Sequence, residues 1–303
     1  MSTMIGARRR RLSGPHIRRI LVGYLFILPS LSVLALFVVW PIIQTIWMSF
    51  NNVDFLNQSS AWVGADNYRQ LASDSRFWNA LRNTAFYTLG VVPIGLALSL
   101  LAALALAEPL RGRSLFRAAF FLPVVSSFAV VAIVWQFLLN QDIGILAYWS
   151  RILGLPSAAW LNSTVWALPA VIIVGIWKGL GFNMVILLAG LMGISDTYYE
   201  AASIDGAGAF TRFFQITLPM LRPTALFVLV MAIIGSFQVF DQVYVMTRGG
   251  PLFSTETIVT YMYHQGFELY QMGYASAIAV VLFVILLVVT FFQLRFLRYN
   301  DVD

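Results

Sequence analysis

Six stretches of the chain are almost free of charge: Ile20 to Ile43, Thr84 to Ala107, Ala118 to Leu139, Val165 to Gly190, Thr224 to Met246 and Ala275 to Leu294. About 20 apolar residues in helical conformation cross the ~30 Å of hydrocarbon in a bilayer, so each stretch is predicted to be a transmembrane helix. Lys178 and Asp241 are the only charges inside them. The first stretch follows a basic segment, as a secretion signal would. It is too long for one, however, and no small-residue cleavage site follows, so it is taken as a span. The expected fold is an all-α integral membrane protein with six transmembrane helices. A basic tail over 1–19 precedes a membrane domain over 20–298, and a short tail over 299–303 follows it.

The pattern changes over about 191–223, between the fourth and fifth stretches, where the chain runs YYEAASIDGAGAFTRFFQITLPMLRP from Tyr198. Thr197 with Glu200 three positions on has the form of a capping box, which predicts a short helix starting there, and Gly206 is a natural terminator for it. Ala201 and Ala202 give that helix a smooth face. Beyond Gly206, a second helix carrying Phe210, Phe213, Phe214 and Ile216 is expected to pack back on the bundle and to break at Pro219 and Pro223. On local physics alone the stretch could equally be an ordinary interhelical loop, since caps and glycine stops are common.

Composition agrees with a membrane class. The 303 residues are 60% hydrophobic and 11% charged, with mean hydropathy +0.81, well beyond the roughly 45–50% apolar content of soluble domains. Cysteine is absent, which excludes disulfides, thiolate metal sites and thiol catalysis. The net charge of +6 does not form a stripe, as a nucleic-acid surface would; it collects at the ends of apolar runs. With the N-terminus in the cytoplasm, the inner segments hold Arg8 to Arg11, Arg18, Arg19, Arg111, Arg113, Arg117, Arg212, Arg222, Arg295 and Arg298. The outer segments hold only Arg69, Arg76, Arg82, Arg151 and Arg248. The positive-inside rule therefore puts both termini in the cytoplasm.

The chain has no G-x-x-x-x-G-K-[ST] phosphate loop, because its only lysine, Lys178, is followed by Gly179 and Leu180. The two histidines, His16 and His264, lie on opposite sides of the expected membrane. Neither a metal-binding nor a hydrolytic pattern occurs, so no catalytic residue and no metal ligand is assigned. Buried ionisable groups in a membrane are costly and usually face a cavity or a partner, which singles out Lys178 and Asp241. Gln238, Asp241 and Gln242, at i, i+3 and i+4, are expected to share one face of the fifth span, with Asn183 adding an amide from the fourth. Helix-helix hydrogen bonding would explain the same polar residues, and Lys178 could be a structural charge.

The string Glu200-Ala201-Ala202, Asp205-Gly206-Ala207, then Ile216, Leu218 and Pro219 resembles the EAA coupling motif in the permease subunits of binding-protein-dependent ABC importers. The carbohydrate and glycerol-phosphate branch is matched most closely, including its A-type glycerol-phosphate subunit. Trp177-Lys178, the run Thr247 to Pro251, and Gly273-Tyr274-Ala275 are also similar to that family. The resemblance implies a non-enzymatic subunit of the bacterial inner membrane. Its loop, through Glu200, Ala201, Ala202, Asp205, Gly206, Leu218 and Pro219, would dock into a cleft on a separate ATPase that carries the ATP and magnesium. It further implies a second homologous permease, two ATP-binding subunits and an extracytoplasmic binding protein as partners. The substrate path would involve Asn183, Phe237, Gln238, Asp241, Gln242 and Lys178, with Phe240 and Tyr244 as stacking surfaces for a sugar or polyol. The alternative, an ion-gradient-driven secondary transporter using Asp241 and Lys178, would be expected to show inverted repeats, and none is evident between residues 20–139 and 165–294.

Overall fold

The computed structural model describes residues 14–54, 59–108, 111–154 and 159–298. The expected tails lie outside the described residues except for 14–19, which form the first turns of a helix. That helix, α1 (Gly14–Leu34), continues through a π-helical turn, Ala35–Val39, into α2 (Trp40–Ser49). A short antiparallel ribbon, β1 (Asn51–Asp54) and β2 (Ser59–Trp62), pairs Asn51 with Trp62. Then come α3 (Asp66–Ser73), the long α4 (Ser75–Ala107), α5 (Arg113–Val125), α6 (Phe128–Leu138), α7 (Ile145–Ile152) and α8 (Ala167–Met192). The chain closes with α9 (Asp196–Ile204), α10 (Ala209–Arg212), a π turn at Phe213–Thr217, α11 (Leu218–Phe237), α12 (Asp241–Met246), α13 (Ile258–Tyr263), a π turn at His264–Glu268, and α14 (Met272–Arg298).

Five helical segments are long and apolar enough to cross a membrane: Val22–Ser49, Ser75–Ala107, Ala167–Met192, Ala209–Met246, which is interrupted at 238–240, and Met272–Arg295. The third predicted span differs from expectation. Instead of one helix over Ala118–Leu139 there are two, α5 and α6, meeting at 100°. Pro123 sits near the end of α5, and Ser126 and Ser127 are extended (ψ 143° and 140°), which stops the helix although hydropathy does not change.

A second difference lies after α9. Pro219 and Pro223 do not break the chain's helix; they are absorbed in it, so that α10, the π turn and α11 run on as one rod from Ala209. The wide turn supplies the reason. The Leu218 amide bonds back to the Phe213 carbonyl, five residues away, and Pro219 then falls in the first turn of α11, where a missing donor is tolerated.

Helices α4 and α8 form the most extensive pair and the axis of the molecule, with α5 and α11 packed on them and α12 on α6. The first span stands apart: none of it is buried within this chain along its most apolar window, and only its α2 end meets α14. Three clusters fill the core. One, at the end shared by α4, α8 and the start of α11, holds Ala103, Leu106, Met184, Leu187, Leu191, Ile194 and Leu221. A central one holds Tyr87, Val131, Val171, Val174, Val239, Val243 and Met246. The third, at the opposite end, joins Leu71, Phe77, Ile258, Tyr261, Tyr274 and Ile278.

Polar contacts lock that far end. Arg76 grips Glu256 with two hydrogen bonds, Nε to Oε2 at 2.8 Å and Nη2 to Oε1 at 2.7 Å, while its guanidinium lies 3.9 Å from the centre of the Phe253 ring. Asn83 donates to the Phe253 and Glu256 carbonyls, and the Ile258 amide donates to Thr84 Oγ1. Asp74 accepts from Tyr261 and Tyr274. Burial would raise its pKa, but these phenols and the Arg76 and Phe77 amides together hold its carboxyl below the usual value.

Candidate functional site

A cavity of about 380 Å³ opens where two helix interruptions meet midway along α8. One is the α5–α6 bend. The other separates α11 from α12 at Gln238–Phe240, where Phe240 leaves helical geometry (φ −136°, ψ −64°). The expected single helical face for Gln238, Asp241 and Gln242 is therefore not formed. The three residues still converge on the cavity, but from the end of one helix, and from the start of the next. Irregular backbone at membrane depth is tolerated where it lines a cavity, because polar groups freed there need partners other than lipid.

Lys178 explains how the bend is held. Its ammonium group donates to the Pro123 and Ser126 carbonyls and, at 3.2 Å, to that of Val124, and lies 4.7 Å from the centre of the Phe128 ring. These are carbonyls from the last turn of α5 and just beyond it, which lost their helical donors when the helix stopped. A cation at a helix C-terminus also matches the negative end of the dipole. The chain's single lysine, 4% exposed, is thus a cap on a broken helix. Close contact makes the geometry possible: a Cβ on Gly181 would lie 2.0 Å from the Phe120 carbonyl oxygen, so α5 can approach α8 only over a glycine.

The remaining polar lining divides into satisfied and free groups. Gln242, 1% exposed, donates through Nε2 to Tyr87, and its Oε1 is buried with no partner among the described residues. Asp241 is exposed to the cavity, and among the described residues its side chain makes no hydrogen bond or ion pair; Asn183 and Gln238 also reach the cavity. Aromatic walls come from Phe128, Phe182, Phe240 and Tyr87. Phe237 departs from expectation: it packs against the cluster of Leu71, Phe77 and Tyr261 and does not line the cavity. Tyr244 also lies outside the lining, stacked on Phe240 at 5.2 Å. Sequence reasoning missed Tyr87, Phe128 and Phe182. Pro123 with Ser126-Ser127, opposite a lone lysine, is the signal that could have found the wall containing Phe128.

At the end of the bundle that holds Ala103, Leu106, Leu191 and Leu221, α9 stands clear with no buried residue. Its N-cap is Ser195, not Thr197, and the two hydroxyls bond each other at 2.6 Å without capping the backbone, so the expected capping box with Glu200 is not formed. Glu200 is exposed and unpaired among the described residues. The C-terminus follows expectation in detail. Gly206 has φ +76°, its amide bonds to the Ser203 carbonyl, and the Ala207 amide reaches the Ala202 carbonyl at 2.8 Å, a Schellman closure. Ile194 and Tyr199 anchor α9 on that cluster, Tyr199 also bonding Thr217, while Arg212 reaches Ser203.

Ala201, Ala202, Asp205 and Gly206 line an open groove of about 510 Å³ between α9 and the rod that follows. Leu218 and Pro219 are exposed at the start of α11. Phe210 and Phe214, expected to pack on the bundle, instead stack on each other 77% and 47% exposed, and Ile204 is 88% exposed. Anchoring falls to Tyr199 and Ile194, and the phenylalanines are left on the surface.

The helices are long and apolar enough to cross a membrane, and they enclose a largely apolar cavity with a few polar groups between two broken ones, an arrangement that suits a multi-pass membrane transport protein. Residues 95–298 match the family of binding-protein-dependent transport system inner membrane components, and the chain belongs to it. It is therefore a permease component, resident in the bacterial inner membrane. It is 35% identical over 286 residues to the sulfoquinovosyl glycerol transport system permease protein SmoG of Agrobacterium fabrum, covering 93% of this chain and 92% of the relative. It is 31% identical over 289 residues to the sn-glycerol-3-phosphate transport system permease protein UgpA of Pectobacterium atrosepticum, covering 94% and 97%. A crystal structure of a bacterial alginate ABC transporter, in complex with an alginate pentasaccharide-bound periplasmic protein, contains a chain that superposes with TM-score 0.83 at 26% identity, covering 95% of this chain and 98% of that one.

Proposed function

We propose that this chain forms half of the translocation path of an ATP-driven importer for a sugar or a glycerol phosphate or its diester, in six spans with both termini in the cytoplasm. The α5–α6 pair serves as the third, bent span. A second homologous permease completes the path, two separate subunits hydrolyse ATP, and a periplasmic binding protein delivers the substrate. The observation that carries the reading is α9: a helix with no buried residue, closed by a left-handed glycine and anchored through Tyr199 on the cluster of Leu106, Leu191 and Leu221, beside an open groove. Glu200, Ala201, Ala202, Asp205 and Gly206, with Leu218 and Pro219 nearby, would meet the ATPase there, and the exposed Ile204 and Phe210 suit a partner surface. Arg113, Arg117 and Arg212 lie at this same end, which supports its cytoplasmic placement. Asn183, Gln238, Asp241 and Gln242 would line the substrate path, with Lys178 shaping it. The names of the relatives support the substrate range, and the alginate complex supports the periplasmic partner. An ion-gradient transporter is not favoured, since Lys178 is committed to backbone carbonyls and forms no relay with Asp241.

The test is co-purification of tagged chain from native membranes. A second permease and an ATPase should accompany it, and Ala202→Trp, which fills the groove, should weaken ATPase association by about ten- to a hundredfold, equivalent to the ~1–3 kcal/mol of overpacking. A chain that transports alone, or an Ala202→Trp complex that assembles at parental strength, overturns the reading.

A further inference from the structure

The only lysine of the chain lies in the cavity wall, yet its hydrogen-bond donors are not available to a substrate. Lys178 spends its donors on the Pro123, Val124 and Ser126 carbonyls. Among the described residues no arginine or histidine lines the cavity, and its only charged side chain without a partner is Asp241. We infer that this cavity, if it is the substrate path as proposed above, selects an uncharged polyhydroxylated solute and disfavours phosphorylated ones, with Asp241 as the residue that sets the charge preference.

Hydrogen-bond chemistry leads to the same result. An ionised carboxylate only accepts, and Gln242 Oε1 is a second acceptor, buried and unfilled. Rotating the Gln242 amide would exchange that acceptor for a donor, but it would not alter Asp241. A sugar hydroxyl can donate to both groups, whereas a phosphate dianion offers acceptors only and would sit close to a like charge in a low-dielectric site. The aromatic walls from Phe128, Phe182 and Phe240 supply apolar faces against which a pyranose ring can lie. Gln238 and Asn183 add amides able to pair with hydroxyls of either polarity.

The experiment is equilibrium binding to the assembled importer in nanodiscs without its binding protein, so that capture upstream cannot impose the preference. The probes are methyl α-glucoside and glucose 6-phosphate, alike in ring and different in charge. The parent should bind the glucoside at least about tenfold more tightly, the scale of one charge-assisted hydrogen bond. Asp241→Asn should narrow that gap, and Asp241→Lys should reverse it. A parent that binds glucose 6-phosphate equally or better overturns the inference while leaving the cavity as the path, as would a gap unchanged in both variants. Binding of neither probe to any variant overturns the cavity reading and the inference with it.

Discussion

Gly206 shows at the scale of one residue how much of α9 depends on backbone geometry. Its φ of +76° closes α9, yet a Cβ placed there would meet nothing within 4 Å. Any penalty for substitution is therefore conformational and not steric. A non-glycine residue in the left-handed region costs roughly 1–2 kcal/mol, and a β-branched one is worse placed than most. Gly206→Val should lower transport and substrate-stimulated ATP hydrolysis together while membrane insertion, followed by protease accessibility, stays intact. Gly206→Asn should restore most of both, because asparagine tolerates this region. Equal activity for Val and Asn would show that the turn does not set the position of α9. Positive φ at this glycine could be anticipated from its place after a short capped helix. The missing capping box could not, because Ser195 and Thr197 both compete for the cap and only the folded backbone decides between them.

Elements are where the sequence is most and least legible. Hydropathy located five long helices, because twenty apolar residues have no stable place in water. It misjudged the third, because a helix can stop at Pro123 and restart at Phe128 without any loss of apolar character. Proline chemistry suggested breaks at Pro219 and Pro223, but the first follows a π turn at the start of α11 and the second is carried inside that helix. Helical spacing brought Gln238, Asp241 and Gln242 together for a reason that does not hold, since they meet through a broken helix. The break also turns Phe237 into the core. Lys178 holds the matching break in α5–α6, and removing its ammonium takes the donor from the Val124 and Ser126 carbonyls, at about 1–3 kcal/mol for each left buried without one, while the Pro123 carbonyl keeps the Ser126 amide. Lys178→Met should loosen or straighten the bend. The natural chain has no cysteine, so a Ser127→Cys reporter can be labelled without background. Its modification rate in membranes should change several-fold in the Lys178→Met background, and an unchanged rate would mean that packing over Gly181 alone maintains the bend.

Over the whole molecule, α4 and α8 link three places that the proposed transport cycle has to coordinate: the cluster that anchors α9, the cavity, and the locked far end, which the proposed topology makes the outer one. The anchoring cluster and the cavity meet those two helices directly through Leu191, Leu106, Tyr87 and Lys178. The far end is held by Arg76 and Glu256, residues 180 positions apart in sequence. Their pairing fastens the segment between α12 and α13 onto the start of α4. The Glu256 side chain is 3% exposed and that of Arg76 27%, so the carboxylate relies on this partner and cannot turn to water. Truncating one side of a buried pair costs on the order of 3–5 kcal/mol, mainly through the charge left behind, and the partial exposure of Arg76 puts this case at the lower end. Arg76→Ala should therefore lower the thermal midpoint of the detergent-solubilised chain markedly. Arg76→Ala with Glu256→Gln should recover part of the loss, since no buried charge is then orphaned. The loss should be confined to the outer end, so proteolysis of the variant should begin in 247–257 and not near α9. Uniform cleavage, or no recovery in the double variant, would show that Arg76 acts through its stacking on Phe253 and not through the ion pair.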